Sequence, residues 1–292
     1  MLSQWQCIRQ NIGTWYGSFT KFSAEGELLK DTPSVLTLEE TELDKTMQLV
    51  LERTPPGGTT DVTTRSFSAP GPAPYISFFE SGAFTQGSAQ WTAFAQFGAE
   101  MSLKVGDRRA RFVIMYKSSV DGSAQLNYVV LIRETQTEDA QFTEPAMTPA
   151  QIAGSWTGRL SALSASMEPV ATGLSRWNFD QSSGSYSLRC EDAFGKISAD
   201  QAIEEQTREL FLTGEQASSK SVVLLTGNLD YRLILLPNGT YCLVPDAIKK
   251  AVEFRVEVGW LSGSGRRSRL IRYYDDQGVW THSALIEDYK DE

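Results

Sequence analysis

Asn11-Ile12-Gly13-Thr14-Trp15-Tyr16-Gly17-Ser18-Phe19 lies near the start of the chain, and Ala153-Gly154-Ser155-Trp156-Thr157-Gly158-Arg159-Leu160 repeats its pattern in the middle. Both stretches contain Gly-x-Trp-x-Gly. The sequence predicts that these positions are structural and that the chain is one fold duplicated. The motif residues are Gly13, Trp15, Gly17, Gly154, Trp156 and Gly158.

Four further blocks repeat in the same order along the chain. Residues 78–84 match 235–241, residues 97–100 match 254–257, residues 106–111 match 264–269, and residues 131–134 match 285–288. A fixed order with varying spacing indicates duplication followed by changes in loop length, and each copy has the size of a domain. We therefore predict one domain over 1–140 and a second over 141–292, with a polar linker over 135–148.

Composition limits the kind of partner. The chain has 292 residues, 41% of them hydrophobic and 22% charged, which is usual for a globular protein. Its net charge of −9 argues against nucleic acid and against anionic membrane surfaces. No apolar run reaches the ~18–20 residues that span a bilayer, and the N-terminus has no secretory pattern. We expect a cytoplasmic protein, or a stromal one if the source has plastids.

The thiols and the single histidine offer little chemistry. Cys7, Cys190 and Cys242 are odd in number and share no metal-ligand spacing, so we expect reduced structural thiols and no metal site. His282 is followed by Ser283, but neighbours on a strand point to opposite faces. We therefore predict no catalytic residues.

The pattern of secondary structure is almost entirely β. A short helix is predicted over 3–12 and another over 148–153, and each precedes a Gly-x-Trp motif. Short alternating strands fill the rest, apart from a possible helical turn over 246–252. Many short strands with turns predict an all-β protein of two tandem antiparallel β-barrels, each preceded by a short helix.

The motif and the strand pattern resemble the calycin superfamily, which includes the lipocalins. More closely, the chain resembles a cyanobacterial and plastid family of uncharacterised proteins with two tandem lipocalin-like barrels. The resemblance rests on residues 11–20, 31–35, 78–84, 97–100 and 106–109. It implies a lipocalin-like fold, in which the Trp of Gly-x-Trp packs against an Arg from a late strand, but it implies no reaction.

The repeated arginines allow two interpretations. We expect Arg111 and Arg269 to be cation–π partners of the adjacent tryptophans, and the alternative is that they bind a ligand carboxylate inside a barrel. The lipocalin pattern would instead place this Arg on the last strand, at Arg133. The pairs 108–109 and 266–267 follow glycine turns, so we interpret them as solvated hairpin residues, and the alternative is a basic rim that docks an acidic partner or an acidic ligand tail.

Other candidate residues also have a structural and a functional interpretation. Trp15 and Trp156 are expected to close one end of each barrel, rather than to stack on a ligand. Phe79, Phe84 and Trp91 lie in an aromatic-rich region that packs the core or lines a ligand site. Glu100 and Glu257 match across the repeat, so they mark a repeated element rather than a general acid.

Three functions fit this architecture. The first is a non-catalytic protein that binds a hydrophobic or amphipathic small molecule such as a pigment, tetrapyrrole or lipid, with Phe79, Phe84, Trp91, Arg111 and Arg269 as ligand-binding residues. The second is an assembly or interaction factor of the photosynthetic apparatus, with filled barrels and a protein partner. The third is a bilin lyase. The sequence names no cofactor and no specific ligand.

Overall fold

The computed structural model describes residues 2–71, 74–138, 146–182, 185–196, 205–216, 222–263 and 265–292. Among these residues, the first half contains one helix and nine strands, which are α1 (Gln4–Arg9), β1 (Gly13–Ser23), β2 (Leu28–Glu42), β3 (Thr46–Arg53), β4 (Asp61–Ser68), β5 (Ser77–Phe78), β6 (Phe84–Gly87), β7 (Phe97–Val105), β8 (Arg108–Ser118) and β9 (Ala124–Thr135).

The second half has the same order, with two additional strands. Its elements are α2 (Pro149–Ile152), β10 (Gly154–Ser164), β11 (Pro169–Ser182), β12 (Ser185–Lys196), β13 (Glu205–Gln216), β14 (Val222–Thr226), β15 (Tyr231–Leu236), β16 (Thr240–Pro245), β17 (Ala247–Ile248), β18 (Phe254–Gly263), β19 (Arg266–Tyr274) and β20 (Trp280–Lys290).

Both halves are antiparallel sheets, which confirms the predicted fold class. The second sheet is a closed barrel of ten strands, from β10 through β16 and β18 to β20. The first runs β4-β3-β2-β1-β9-β8-β7-β6-β5 and curls into a half-barrel, because among the described residues β4 and β5 do not pair. The division into 1–140 and 141–292 stays a prediction, since residues 139–145, where it falls, lie outside the described residues.

Proline content distinguishes the two halves of the sequence at the point where the closed barrel has β14. In the second half, β14 pairs with β13 on one side and β15 on the other. In the first half, the sequence between β4 and β5 begins Ala69-Pro70-Gly71-Pro72-Ala73-Pro74. Proline has no backbone N–H to donate to a ladder, so this sequence disfavours a strand equivalent to β14.

The Gly-x-Trp-x-Gly motif joins each helix to its first strand. Gly13 and Gly154 have φ values of +132° and +99°, which L side chains rarely adopt. A Cβ on Gly17 would lie 1.9 Å from the carbonyl oxygen of Arg133, so the second glycine permits close contact with the last strand. The tryptophan then turns back to the helix, and the Nε1 of Trp15 donates to the carbonyl of Asn11 at 2.9 Å.

Both helices are shorter than predicted but begin as the sequence suggests. Ser3 caps α1 and forms a capping box with Gln6, and Thr148 forms the same box with Gln151. The expected helical turn over 246–252 is wrong. Residues Ala247–Ile248 form β17 instead, which pairs with the start of β9 in the first half.

A continuous apolar core joins the two halves. The ring of Phe97 on β7 contacts Phe254 at 5.6 Å and Tyr274 at 5.2 Å, both edge-on. The hydroxyl of Tyr116 donates to the carbonyl of Pro245 at 2.7 Å. The outer face of the half-barrel is therefore covered by the outer face of the closed barrel.

We expect Phe97→Ala to lower the free energy of unfolding by about 3–5 kcal/mol, because it opens a cavity in this shared core. Denaturant titration followed by fluorescence measures the change. The matched control is Phe211→Ala on β13, where the ring is 63% exposed, and its cost should be below about 0.5 kcal/mol. Equal effects of the two substitutions would contradict a core at Phe97.

Candidate functional site

In each half, an arginine of the penultimate strand packs on the tryptophan that closes one end, Trp15 or Trp156. The guanidinium of Arg109 on β8 lies 4.2 Å from the ring centre of Trp15. That of Arg267 on β19 lies 4.4 Å from Trp156 and 4.1 Å from Trp177. Arg109 and Arg267 are only 4% and 1% exposed, so their interpretation as solvated hairpin residues is wrong.

This geometry also corrects the expected partner of each tryptophan. Arg111 and Arg269 lie two residues further along the same strand face, one step away from the plugged end. Arg133 on the last strand points to the other face, where its Nη1 donates to the Oδ1 of Asn238 at 2.9 Å. In each half, the arginine nearest the closed end stacks on the tryptophan ring. Arg111, Arg269 and Arg133 do not.

Arg111 and Arg269 are instead neutralised by buried carboxylates. In the first half, Arg111 donates to Glu134 at 2.7 Å and to Glu100 at 2.9 Å. In the second half, Arg269 donates to Asp288 at 2.6 Å and approaches Glu257 at 3.4 Å. Glu134 and Asp288 also receive bonds from Arg109 and Arg267.

Each half therefore contains the same network, here called the ion cluster. Its positions are the repeated residues of the sequence: Arg109, Arg111, Glu134 and Glu100 in the first half, and Arg267, Arg269, Asp288 and Glu257 in the second. Burial alone would raise the pKa of Glu134, but the two arginines outweigh it and hold that pKa below the usual range; the same holds for Asp288.

The closed barrel extends its ion cluster with residues that the sequence analysis missed. Asp192 on β12 accepts from the Nη1 of Arg255 at 3.1 Å and from the hydroxyl of Tyr273 at 2.8 Å. Ser175 connects Asp192 to Arg269, with hydrogen bonds of 2.5 and 2.6 Å. These polar groups and the buried rings of Trp156, Trp177 and Phe179 occupy the barrel interior. The alternation of side chains along β18 and β19 could have indicated that their arginines point inward. It could not have indicated that Asp192 is the partner of these arginines.

The half-barrel is more open. Its concave surface, here called the inner face, carries the side chains that share the face of Trp15. Phe19, Val113 and Tyr128 lie there and are only partly buried. Basic groups surround them: the guanidinium of Arg53 lies 5.9 Å from the ring of Phe19, and the ammonium of Lys21 lies 3.7 Å from that of Tyr128.

The three aromatic candidates do not converge on one site. Phe84 packs with Trp15 in the plugged end of the half-barrel. Trp91 is buried where the halves meet, and its backbone N–H donates to Gly278 at 2.8 Å. Phe79 is 5% exposed and lines a cleft of about 1170 Å³ between α1 and the β10–β11 hairpin. Their ligand-binding role, like that of Arg111 and Arg269, stays a prediction.

The nucleophiles and the histidine are held in structural contacts. His282 stacks on Tyr273 at 4.5 Å, and burial together with Arg208 lowers its pKa to about 4. Ser283 faces away and accepts from the Nε1 of Trp280 at 3.2 Å. Cys7, Cys190 and Cys242 are buried free thiols, and burial raises the pKa of Cys190 to about 12. The described residues contain no cluster that could hold a metal and no helix suited to span a membrane.

The ion cluster should make stability depend on pH. Glu134 has a lowered folded pKa, so its contribution is complete above the ordinary glutamate pKa of about 4.3 and is lost as the pH falls through the folded value. We expect Glu134→Gln to cost about 3–5 kcal/mol at pH 7, because it leaves two buried arginines with less counter-charge, and to weaken the acid dependence.

Urea titrations between pH 3 and pH 7 test this expectation. Glu39→Gln is the matched control, because Glu39 is an exposed side chain on β2. An unchanged acid dependence in Glu134→Gln would show that other carboxylates control it.

Two protein-family models match this chain, one in each half. Residues 1–139 match the model described as "Domain of unknown function (DUF3598), N-terminal". Residues 143–291 match that described as "Biogenesis factor required for ATP synthase 1, C-terminal domain". No curated protein is similar enough in sequence to count as a relative.

Solved structures show a full-length match. A protein of unknown function from the DUF3598 family of Nostoc punctiforme PCC 73102 is 29% identical over 100% of both chains, with a TM-score of 0.83. The S-type phycobiliprotein lyase CPES from Guillardia theta is 12% identical over 49% of this chain and 90% of its own, with a TM-score of 0.38. The second family model spans just over half of the chain and the first covers most of the remainder. The chain therefore belongs to the family whose model is described as "Biogenesis factor required for ATP synthase 1, C-terminal domain", and its first half matches the N-terminal model of DUF3598.

Proposed function

We propose that this protein is a non-catalytic assembly factor that binds a protein subunit of ATP synthase while the complex is being built. The difference between the two halves carries the proposal. The closed barrel is filled by its own ion cluster and aromatic rings, so it serves as a scaffold, whereas the half-barrel exposes an inner face that a partner can enter.

The family description supports the class of partner. It describes a biogenesis factor required for ATP synthase, and the matching domain here is the filled barrel. A factor of this kind needs a stable fold and a binding surface but no catalytic group, which agrees with the structural contacts of His282, Ser283 and the three cysteines. We place this activity in the cytoplasm of a cyanobacterium or in the plastid stroma.

A second candidate is the binding of an amphipathic small molecule on the inner face. The half-exposed apolar side chains of Phe19, Val113 and Tyr128 would contact the apolar part, and Lys21 and Arg53 would contact a carboxylate. A pigment, a tetrapyrrole or a lipid-like acid has this chemistry. The low-similarity lyase match adds no support for bilin transfer.

We expect the purified full-length protein to bind at least one purified subunit among α, β and γ of a cyanobacterial ATP synthase, with an affinity that falls as salt is added. Salt sensitivity follows from the basic inner face. Isothermal calorimetry at two salt concentrations measures it, with serum albumin as the acidic control protein. Failure of all three subunits to bind would contradict the proposed assembly function.

Native mass spectrometry and a UV–visible spectrum of protein purified from a photosynthetic host separate the two candidates. The assembly factor should have the mass of the chain alone. A bound species at near-stoichiometric occupancy, lost in Val113→Trp but retained in the outward-facing Phe211→Trp, would establish the small-molecule carrier instead.

A further inference from the structure

One edge of the half-barrel is an unpaired strand. The backbone N–H of Ala69 donates to Lys45, immediately beyond the β3–β4 ladder. Because hydrogen-bonded pairs alternate in an antiparallel ladder, odd-numbered residues of β4 bond to β3. The N–H and C=O groups of Val62, Thr64 and Ser66 therefore point away from the sheet. Of the described strands, only β3 pairs with β4.

This edge has only part of the usual protection against another strand, since it carries the charged residues Asp61 and Arg65 but is long and regular. Edge strands are commonly short, or carry lysine, proline or a bulge. β4 has eight residues without proline or lysine, and its register with β3 is regular from Thr46↔Ser68 to Arg53↔Asp61. Its sequence, Asp-Val-Thr-Thr-Arg-Ser-Phe-Ser, is rich in β-branched residues.

The opposite edge is already covered. The side chain of Gln4 on α1 accepts from the N–H of Phe78 at 2.7 Å and donates to its carbonyl at 2.9 Å, so it bonds β5 as a neighbouring strand would. Trp5 packs edge-on against Phe67 at the end of β4, with ring centres 6.2 Å apart. Helix α1 thus fills the closed end of the gap between β4 and β5. The remainder of the β4 edge can pair with an added strand.

The second half shows what such a strand looks like. β14 pairs antiparallel with β13, the counterpart of β4, and continues the sheet toward β15. Its Val223 and Leu225 are fully buried in the core. A five-residue strand with alternate apolar side chains is therefore the element that has no counterpart in the described part of the first copy.

Charge indicates the chemistry of the occupant. In the open part of the inner face, the strand registers place more basic than acidic side chains, although the whole chain has a net charge of −9. The basic residues are Lys21, Lys30, Arg53 and Arg65, and the acidic one is Asp61, which pairs with Arg53; Arg111 and Glu100 belong to the ion cluster. An excess of basic side chains beside this edge favours an acidic segment as the occupant.

We propose that the partner docks through an extended, acidic segment that pairs antiparallel with β4 and takes the place that β14 occupies in the closed barrel. The partner's backbone would bond Val62, Thr64 and Ser66, its alternate apolar side chains would enter the half-barrel, and its carboxylates would meet Arg65. This inference rests on the proposed function, because it identifies how the ATP synthase subunit is held.

The test uses the full chain and the purified α, β and γ subunits. Thr64→Pro removes an outward N–H without breaking the β3 ladder, so binding should weaken about tenfold or more while the melting temperature is unchanged. Thr64→Val keeps the N–H and is the matched control. Arg65→Glu should also weaken binding and reduce its salt dependence, whereas Arg176→Glu on the outside of the closed barrel should not.

Hydrogen–deuterium exchange supplies an independent measurement. The amides of Val62, Thr64 and Ser66 should exchange rapidly in the free protein and become protected in the complex. A subunit that binds Thr64→Pro and the original chain equally, with no protection of β4, would overturn the strand-addition mode and leave the assembly function intact. Absence of binding by every subunit would overturn both. Protection that appears with chain concentration alone, together with dimer formation, would identify a second copy as the occupant.

Discussion

Each half of the protein depends on a buried carboxylate that two arginines share. Glu134 and Asp288, on the last strand of each copy, accept from Arg109 and Arg111 or from Arg267 and Arg269. Removing charges from water is costly, so such a group persists only when its partners are fixed in place. The pairing fixes the penultimate and last strands against each other, and it presses one arginine onto the tryptophan that closes the end.

The same cluster differs in extent between the two copies. In the second copy it is continuous with Asp192 and Arg255, and polar pairing extends across a barrel that is filled. In the first copy it stops at Glu100, which is partly exposed, and beyond that point the inner face opens to solvent. A duplicated fold thus contains one copy that provides rigidity and one that retains an accessible surface.

The sequence could predict the duplication, the β class and the short capped helices, because local patterns encode all three. It also contained each member of the ion cluster, since three repeated blocks carry Glu100, the Arg109–Arg111 pair and Glu134. It could not show that these residues meet, because strand register is set by pairing between distant segments. For the same reason, Arg111 was expected to stack on Trp15, when Arg109 lies nearer the closed end. Asp192 and β17 have no counterpart in the repeat and could not be found from it.

The shared core between the halves has a consequence for synthesis. The outer face of the half-barrel, with Phe112, Ile114 and Tyr116, is covered only when strands from the second half arrive. Ribosomes add about 5–20 residues per second, so synthesis of residues 139–292 leaves that apolar face uncovered for roughly 8–30 s. The nascent chain therefore passes through a stage in which it depends on chaperones or risks aggregation, and the solubility of ribosome-stalled chains ending near residue 138 would measure that dependence.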